Sequence, residues 1–272
     1  MRRAGDATPE VVVEVKKVMP AKVVAIVNQK GGVGKTTTAV NLGAGLAEIG
    51  QRVLLVDIDP QGNATSGLGI NRRRIKKCIY NVLIDGLPMD AVILPTGNEG
   101  LDLAPATIQL AGAEVELVLA MQREIKLREA LLPLLSSYDY ILIDCPPSLG
   151  LLTLNSLTAA SGVLIPVQCE YYALEGLSQL MSTVTLVQRH LNPNLVVTGA
   201  LLTMYDSRTN LAAQVVEEVK SFFKERVFVA IVPRNVRLSE APSHGQPIMT
   251  YDPRSKGSEV YRELAKEVLE RA

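Results

Sequence analysis

The stretch from Val23 to Thr38, V-V-A-I-V-N-Q-K-G-G-V-G-K-T-T-T, constrains the fold of this chain more than any other. Its first residues are apolar and largely β-branched, which reads as a buried strand. Gly31-Gly32-Val33-Gly34 then form a turn that glycines make most easily, because they accept positive φ and let backbone N–H groups crowd together. Lys35-Thr36-Thr37 open a helix over about residues 35–49, whose apolar positions continue through Val40, Leu42, Leu46 and Ile49 to a stop at Gly50. Strand, glycine loop and helix N-terminus together hold phosphate, since the loop amides point inward and the helix dipole favours negative charge. In such a loop Lys35 reaches the β- and γ-phosphates and the Thr36 hydroxyl ligates Mg²⁺.

The strict pattern G-x-x-x-x-G-K-[ST] is not met, because Gln29 stands five residues before Gly34. Lys30 and two glycines take its place. One cation ordinarily suffices for the β/γ contact, so Lys30 taken alone reads as a solvated loop residue. The downstream strings weigh against that reading. Val53-Leu54-Leu55-Val56 is a second buried strand, and Asp57-Ile58-Asp59-Pro60-Gln61-Gly62-Asn63 follows at its C-terminal end, where open α/β sheets bind ligands. Two carboxylates at i and i+2 after a strand can both face a phosphate site; the structural alternative is that one of them caps the next helix. Tyr140-Ile141-Leu142-Ile143-Asp144 is another apolar strand with an acid at its tip. It delivers Asp144 beside the glycine loop, where a carboxylate holds Mg²⁺, often through water. Asp144 as a cap for a helix over 149–160 is the competing reading, but Ser148 suits that role better. Cys145 reads as core, and Pro146-Pro147 stiffen a loop placed to sense the γ-phosphate.

Elsewhere strands and helices alternate. Strands are expected at 101–105, 163–167, 195–203 and 226–232. Helices are expected at 110–135, from Glu170 to about His190, at 209–223 and at 257–271. Seven or eight strands with no linker-like break predict an α/β fold: a doubly wound, mostly parallel sheet flanked by helices, occupying residues 21–272. Residues 1–20 read as a mobile tail or, through Val11-Val12-Val13-Glu14-Val15, a loosely added strand, with Met19 as a second natural start. Hydrophobic residues make up 47% of the chain and aromatics 4%, which suits the Val/Ile/Leu core of a parallel sheet. Lys plus Arg and Asp plus Glu both number 28, so nucleic-acid binding must rest on a local patch rather than on bulk charge. Arg72-Arg73-Arg74-Ile75-Lys76-Lys77 is the one dense basic run; it reads as a solvated face or as part of a nucleic-acid or partner surface. Three scattered cysteines and two histidines show no disulfide or zinc pattern and fit a reducing cytoplasm. No apolar run is long enough to span a membrane.

The string K-G-G-V-G-K-T-T resembles the deviant Walker A motif of the ParA/MinD superfamily. D-I-D-P-Q-G-N-A-T, P-A-T-I-Q-L-A-G-A-E, D-C-P-P-S-L-G, P-V-Q-C-E-Y-Y-A-L-E-G and I-V-P-R-N-V-R-L-S-E-A-P-S-H-G extend the likeness over residues ~20–272 and narrow it to the ParA/Soj partition ATPases. That resemblance implies an ATP- and Mg²⁺-dependent, nucleoid-associated cytoplasmic ATPase that is slow until a ParB-type partner stimulates it. The ATP-bound homodimer sandwiches two nucleotides and binds double-stranded DNA without sequence preference. Lys30 crosses to the partner's nucleotide, as an arginine finger would. Asp59 orients the attacking water, with Lys30 and Lys35 completing the catalytic set, and Asp57 borders phosphate and Mg²⁺. The nucleotide-binding set is then Lys30, Gly31, Gly32, Val33, Gly34, Lys35, Thr36, Thr37 and Asp57, with Pro233 and Asn235 as adenine contacts and Thr36 and Asp144 serving the metal. Arg208 and Arg237 are the implied DNA contacts, against the alternative that they are surface ion-pair partners; Arg234 is a further candidate to face nucleotide.

Rival readings share the glycine loop. A MinD-like membrane-positioning ATPase needs a basic amphipathic C-terminal helix, whereas the polar face of 257–271 is mixed and rather acidic, suited to packing on the sheet. An iron-protein reductase needs cysteines placed to share a 4Fe–4S cluster across a dimer, and Cys78 and Cys145 do not match that arrangement.

Overall fold

A computed structural model describes residues 20–170 and 176–271. The predicted N-terminal tail lies outside the described residues, apart from Pro20. In chain order the elements are β1 (Lys22–Ile26), α1 (Lys35–Glu48), β2 (Val53–Asp57), α2 (Asn63–Gly67), α3 (Ile79–Leu83), β3 (Leu94–Pro95), β4 (Leu101–Ala104), α4 (Leu110–Glu116), α5 (Lys126–Leu131), β5 (Tyr140–Asp144), α6 (Leu151–Ala159), β6 (Gly162–Gln168), α7 (Leu177–His190), β7 (Val196–Thr203), α8 (Asn210–Phe223), α9 (Val236–Glu240), α10 (Ile248–Tyr251) and α11 (Lys256–Glu270).

The seven strands form one sheet in the order β3-β4-β2-β5-β1-β6-β7, parallel throughout except for the short antiparallel edge strand β3. Side chains alternate across it. Val24, Ile26, Val53, Leu55 and Leu142 pack with α1 and α11 on one face. Val23, Ala25, Leu54, Val56, Ile141 and Ile143 pack with α6, α7 and α8 on the other. Two covered faces explain the near-continuous apolar runs, because a strand buried on both sides has no polar alternate positions. The predicted doubly wound sheet is therefore the observed architecture.

Register sets the functional end. Asp144 is the Cα partner of Ile26 on one side and of Asp57 on the other. The C-terminal tips of β2, β5 and β1 thus lie side by side, with the glycine loop leaving β1 directly above them.

Four local expectations are corrected. The predicted strand at 226–232 runs beside β7, but pairs only through isolated bridges at Val227 and Pro233. Glu267 takes the amides of Val229 and Ala230, at 2.9–3.2 Å; that of Ala230 is one a continuous ladder to β7 would use. The single helix expected at 110–135 breaks after a 3₁₀ turn at Leu117–Leu119. Gln122 has φ 54°, and Asn155 accepts from Leu127 N and donates to Arg123 O, so tertiary hydrogen bonds hold the break where no local breaker stands. Ser148 does not cap α6: the helix starts after Gly150 without a side-chain cap, and the Ser148 carbonyl accepts from Thr153 instead. The helix expected from Glu170 begins at Leu177 among the described residues; positions 171–175 of that expectation lie outside them.

The terminal helix α11 lies against α1 within the apolar layer on that face of the sheet. A Cβ at Gly45 would sit 3.1 Å from Ala265 Cβ, and Val260, Tyr261, Leu264, Ala265 and Val268 are buried. Among the described residues no helix is long and apolar enough to cross a membrane.

Candidate active site

The glycine loop is held from both sides. Gly32 and Gly34 adopt φ 75° and 90°, the left-handed region that side-chain-bearing residues avoid. Asn28 donates to Pro166 O at 2.7 Å and accepts from Lys30 N at 2.9 Å, tying the start of the loop to β6. Thr203, at the tip of β7, donates to Val33 O at 2.9 Å and ties down the far side. Thr38, one turn into α1, meets the Tyr261 hydroxyl at 3.3 Å. The loop is therefore preorganised by strands β6 and β7 and braced by α11. Lys35 is buried, and its ammonium donates to the Lys30 carbonyl at 3.0 Å. The Lys30 side chain itself has no carboxylate partner among the described residues.

Beneath the loop sit three carboxylates. Asp57 is fully buried and accepts from Thr65 N at 2.8 Å, Thr65 Oγ1 at 2.6 Å and Asp59 N at 3.2 Å. Part of its bonding thus goes to the first turn of α2, the capping role weighed against a phosphate role. Burial lifts its pKa to about 6, even against those hydrogen bonds. Asp59 accepts from Gln61 N at 2.9 Å, a local turn that leaves its second oxygen uncommitted. Asp144 differs from both: it is fully buried, and neither carboxylate oxygen has a hydrogen-bond partner. The Thr36 hydroxyl is close enough to favour its charged form without closing a hydrogen bond of regular geometry. Burial, and then the charge of Asp57, push the Asp144 carboxyl well above the usual carboxylate range, with Lys35 acting the other way. Burial pushes Lys35 down, opposed by Asp144 and Asp59.

An unpaired buried carboxylate costs several kcal/mol. Its presence at the tip of β5, beside a hydroxyl and a buried ammonium, fits a site completed by a cation. An oxygen donor set of hydroxyl and carboxylate suits Mg²⁺, a hard ion that keeps water in its shell. The residues present therefore fit the metal expected from the sequence. Cys145, next in the chain, is buried and its thiol is pushed up to about 12, so it is inert core. Among the described residues no group of three His, Cys, Asp or Glu forms a separate metal site.

Beside the loop opens a cavity of about 480 Å³ lined by Gly34, Thr37, Thr203, Met204, Pro233 and Asn235, with Tyr261 in its wall. The structure thus brings Pro233 and Asn235 to the glycine loop. Asn235 Oδ1 is spent on Arg237 N, capping α9, which leaves its amide nitrogen for other partners. Thr203, Met204 and Tyr261 were not singled out from the sequence. Thr203 carried a usable signal, since it ends a parallel strand at the ligand edge; Tyr261, in the last helix, carried none.

Arg208 lies on the loop before α8 and Arg237 in the first turn of α9, rather than on a loop, and the two segments meet where Arg234 N donates to Tyr205 O at 2.9 Å. Neither is free. Arg208 makes a two-pronged pair with Asp206, at 2.9 and 2.7 Å, and its side chain is 84% exposed. Arg237 pairs with Glu240 at 2.9 Å and Asp252 at 3.5 Å. Arg234 is held by Glu170.

Known proteins resemble this chain closely. A family model described as an AAA domain matches residues 21–197. The sporulation initiation inhibitor protein Soj of Bacillus subtilis is 65% identical over 247 residues, spanning 91% of this chain and 98% of that protein. The chromosome partitioning protein ParA of Myxococcus xanthus is 60% identical over 250 residues, spanning 92% and 88%. Among solved structures, a protein described as cobyrinic acid a,c-diamide synthase of Mycobacterium smegmatis, with bound ADP and magnesium, superposes with TM-score 0.81 at 41% identity over 92% of this chain and 94% of that one.

Proposed function

The chain belongs to the Soj/ParA family of chromosome-partitioning ATPases, and from that premise we propose that it is an ATP-gated dimerisation switch acting on DNA with a ParB-type partner. ATP and Mg²⁺ are its ligands. The amides of Gly31 to Thr37 and the Lys35 ammonium bind the phosphates, Lys35 leaving the Lys30 carbonyl to do so. Thr36 and, through water, Asp144 hold Mg²⁺, which when bound spreads the charge of the β- and γ-phosphates. Pro233 and Asn235 wall the adenine side of the adjoining cavity. Asp59, with one oxygen uncommitted, orients the attacking water, and Asp57 shapes the surroundings of phosphate and metal.

Lys30 is the residue that turns binding into a switch. Its backbone amide is pinned by Asn28, a bond that does not depend on Lys35, while its ammonium is unpaired among the described residues. A cation on a fixed stem at the mouth of the loop is suited to reach a triphosphate bound by a second copy. Dimer affinity then depends on one phosphoanhydride bond. The ATP dimer doubles whatever basic surface each protomer carries, and so binds duplex DNA without reading sequence and associates with the nucleoid. A ParB-type partner raises turnover by improving water geometry at Asp59, and hydrolysis releases the dimer.

The single observation that carries the reading is the orphaned Asp144 carboxylate beside buried Lys35 under the glycine loop. Light scattering with Mg²⁺ and a slowly hydrolysed ATP analogue tests the switch: the wild type dimerises and Lys30→Ala stays monomeric. A monomeric wild type under saturation defeats it. The MinD-like alternative is disfavoured because the apolar face of α11 is buried against α1, not presented to lipid. ATP-dependent pelleting with anionic liposomes would reinstate it.

A further inference from the structure

The basic run at residues 72–77 is left unused by the functions assigned so far, and its setting differs from that of Arg208 and Arg237. Arg72, Arg73, Arg74, Lys76 and Lys77 are all exposed. Among the described residues none of the five pairs with a carboxylate, whereas Arg208 and Arg237 are each held by acids. Asn71 caps a 3₁₀ turn at Arg72–Arg74 by accepting from Arg73 N at 3.0 Å. With about three residues per 3₁₀ turn, successive side chains project about 120° apart. Arg72 lies along the surface and donates to the Gln61 carbonyl, which leaves Arg73 and Arg74 projecting in other directions.

Position brings the start of the run close to the segment that follows α9, the helix carrying Arg237. The loop that leads to it passes Gly69, whose backbone lies against Gly245, just after the segment that begins with α9. A Cβ on Gly245 would sit 2.5 Å from Gly69 Cα, so the two segments touch main chain to main chain. Both glycines have positive φ, 79° and 64°, and no side chain separates them. The loop that leads into the basic run is therefore anchored at Gly69 to the segment that follows α9.

From this geometry we infer that Arg73, Arg74, Lys76 and Lys77 contact the phosphate backbone of duplex DNA, extending the Arg208–Arg237 face. The inference rests on the DNA-binding reading above. Duplex backbone is favoured over other anions by what the run lacks. The nearest aromatic, Tyr80, is engaged by Glu116 at 3.0 Å, so no ring is offered for stacking unpaired bases. Ile75 is only partly exposed and no large exposed apolar side chain lies between residues 70 and 100, so nothing anchors it in lipid. Unpaired cations on a rigid turn supply non-specific phosphate contacts, each releasing a counterion. The Arg72–Gln61 link, and the Gln61 N–Asp59 bond beyond it, connect this surface to the carboxylate assigned to water activation.

The test is the salt dependence of duplex DNA binding by the ATP-bound protein, with Arg73, Arg74, Lys76 and Lys77 all changed to Gln and Arg72 left intact. The plot of log affinity against log salt should become shallower by about 3.6 per protomer, near 0.9 per lost contact, with affinity down at least tenfold at moderate salt. Nucleotide affinity and melting temperature should stay unchanged, and R73Q/R74Q alone should show about half the change in slope. An unaltered slope in the quadruple variant overturns this site while leaving wild-type DNA binding intact. Wild-type protein that binds no DNA in ATP overturns the parent reading instead. Loss of poly-glutamate binding with DNA binding unchanged overturns the site in favour of an acidic protein partner.

Discussion

The phosphate end of the sheet and the arginine loops at 204–209 and 233–237 treat charge in opposite ways. At the first, three carboxylates and a lysine are buried within a rigid frame, and one carboxylate is left without any hydrogen bond. At the second, charged groups are exposed and each arginine is matched to an acid, Arg208 and Arg237 to acids nearby in the chain and Arg234 to Glu170. Burial makes a charge expensive, so it persists only where a ligand or ion completes it. Exposure makes a charge cheap, so its pairing says little about its use, because water and salt compete for every such pair. Function at the buried end is thus written in unsatisfied geometry, while at the surface it must be read from what is left unpaired.

The largest test of this contrast is Lys35→Ala. It removes the buried cation from beside Asp144 and Asp59, and ATP affinity by titration calorimetry should fall at least ~100-fold, as expected for loss of a desolvated charge pair. Next, Asp59→Ala should lower phosphate release ~100-fold or more while leaving ATP affinity within a few-fold, the range associated with a positioned base. Equal losses in both quantities would place Asp59 in binding instead.

Asp57→Asn probes the cost of the buried charge itself. Asp57 is an acid whose folded value, about 6, lies above its unfolded one. The folded state therefore holds an extra proton between about pH 4 and 6, and stability falls as pH rises through that window. Above it the nucleotide-free protein carries a penalty of at most ~3 kcal/mol. Denaturant titration at pH 7.5 without nucleotide should show Asp57→Asn more stable by ~1–3 kcal/mol, the gain shrinking towards pH 4. A destabilised variant at pH 7.5 would mean that the Thr65 hydrogen bonds outweigh the burial of charge.

The smallest effect belongs to the surface. Arg208→Ala combined with Arg237→Ala should weaken DNA retention by the ATP-bound protein about tenfold and flatten its salt slope by roughly 2, with dimerisation unchanged. Unchanged retention would leave these arginines as partners of Asp206 and Glu240 and nothing more.

What could be read from the chain follows the same division. β1, β2 and β5 were legible because strands covered on both faces become unbroken apolar runs, and because acids end β2 and β5. The order of the central strands brought Asp57, Asp144 and the glycine loop together as the motifs implied. β3 was not legible, since two residues carry no periodicity. Nor was the break between α4 and α5, which Asn155 imposes from a distant helix. The extended segment at 226–232 looked like a strand because its residues favour one; Glu267, some forty residues on, diverts its amides. The pairing of Arg208 was visible in principle, in the D-x-R spacing with Asp206, but local spacing does not reveal whether such a pair opens for a ligand.

The contact between α11 and α1 has a practical side. Tyr261 meets Thr38, the third residue beyond Lys35, while Glu267 and Arg271 fasten the 226–232 segment through Val229 N and Val227 O. The last fifteen residues of the described chain thus act as a keystone under a nucleotide loop that lies more than two hundred positions earlier. Trimming this end, or displacing it with a bulky fusion, would be felt as an apparent defect in ATP handling, and a complementation assay built on such a fusion would misattribute an engineering artefact to the enzyme.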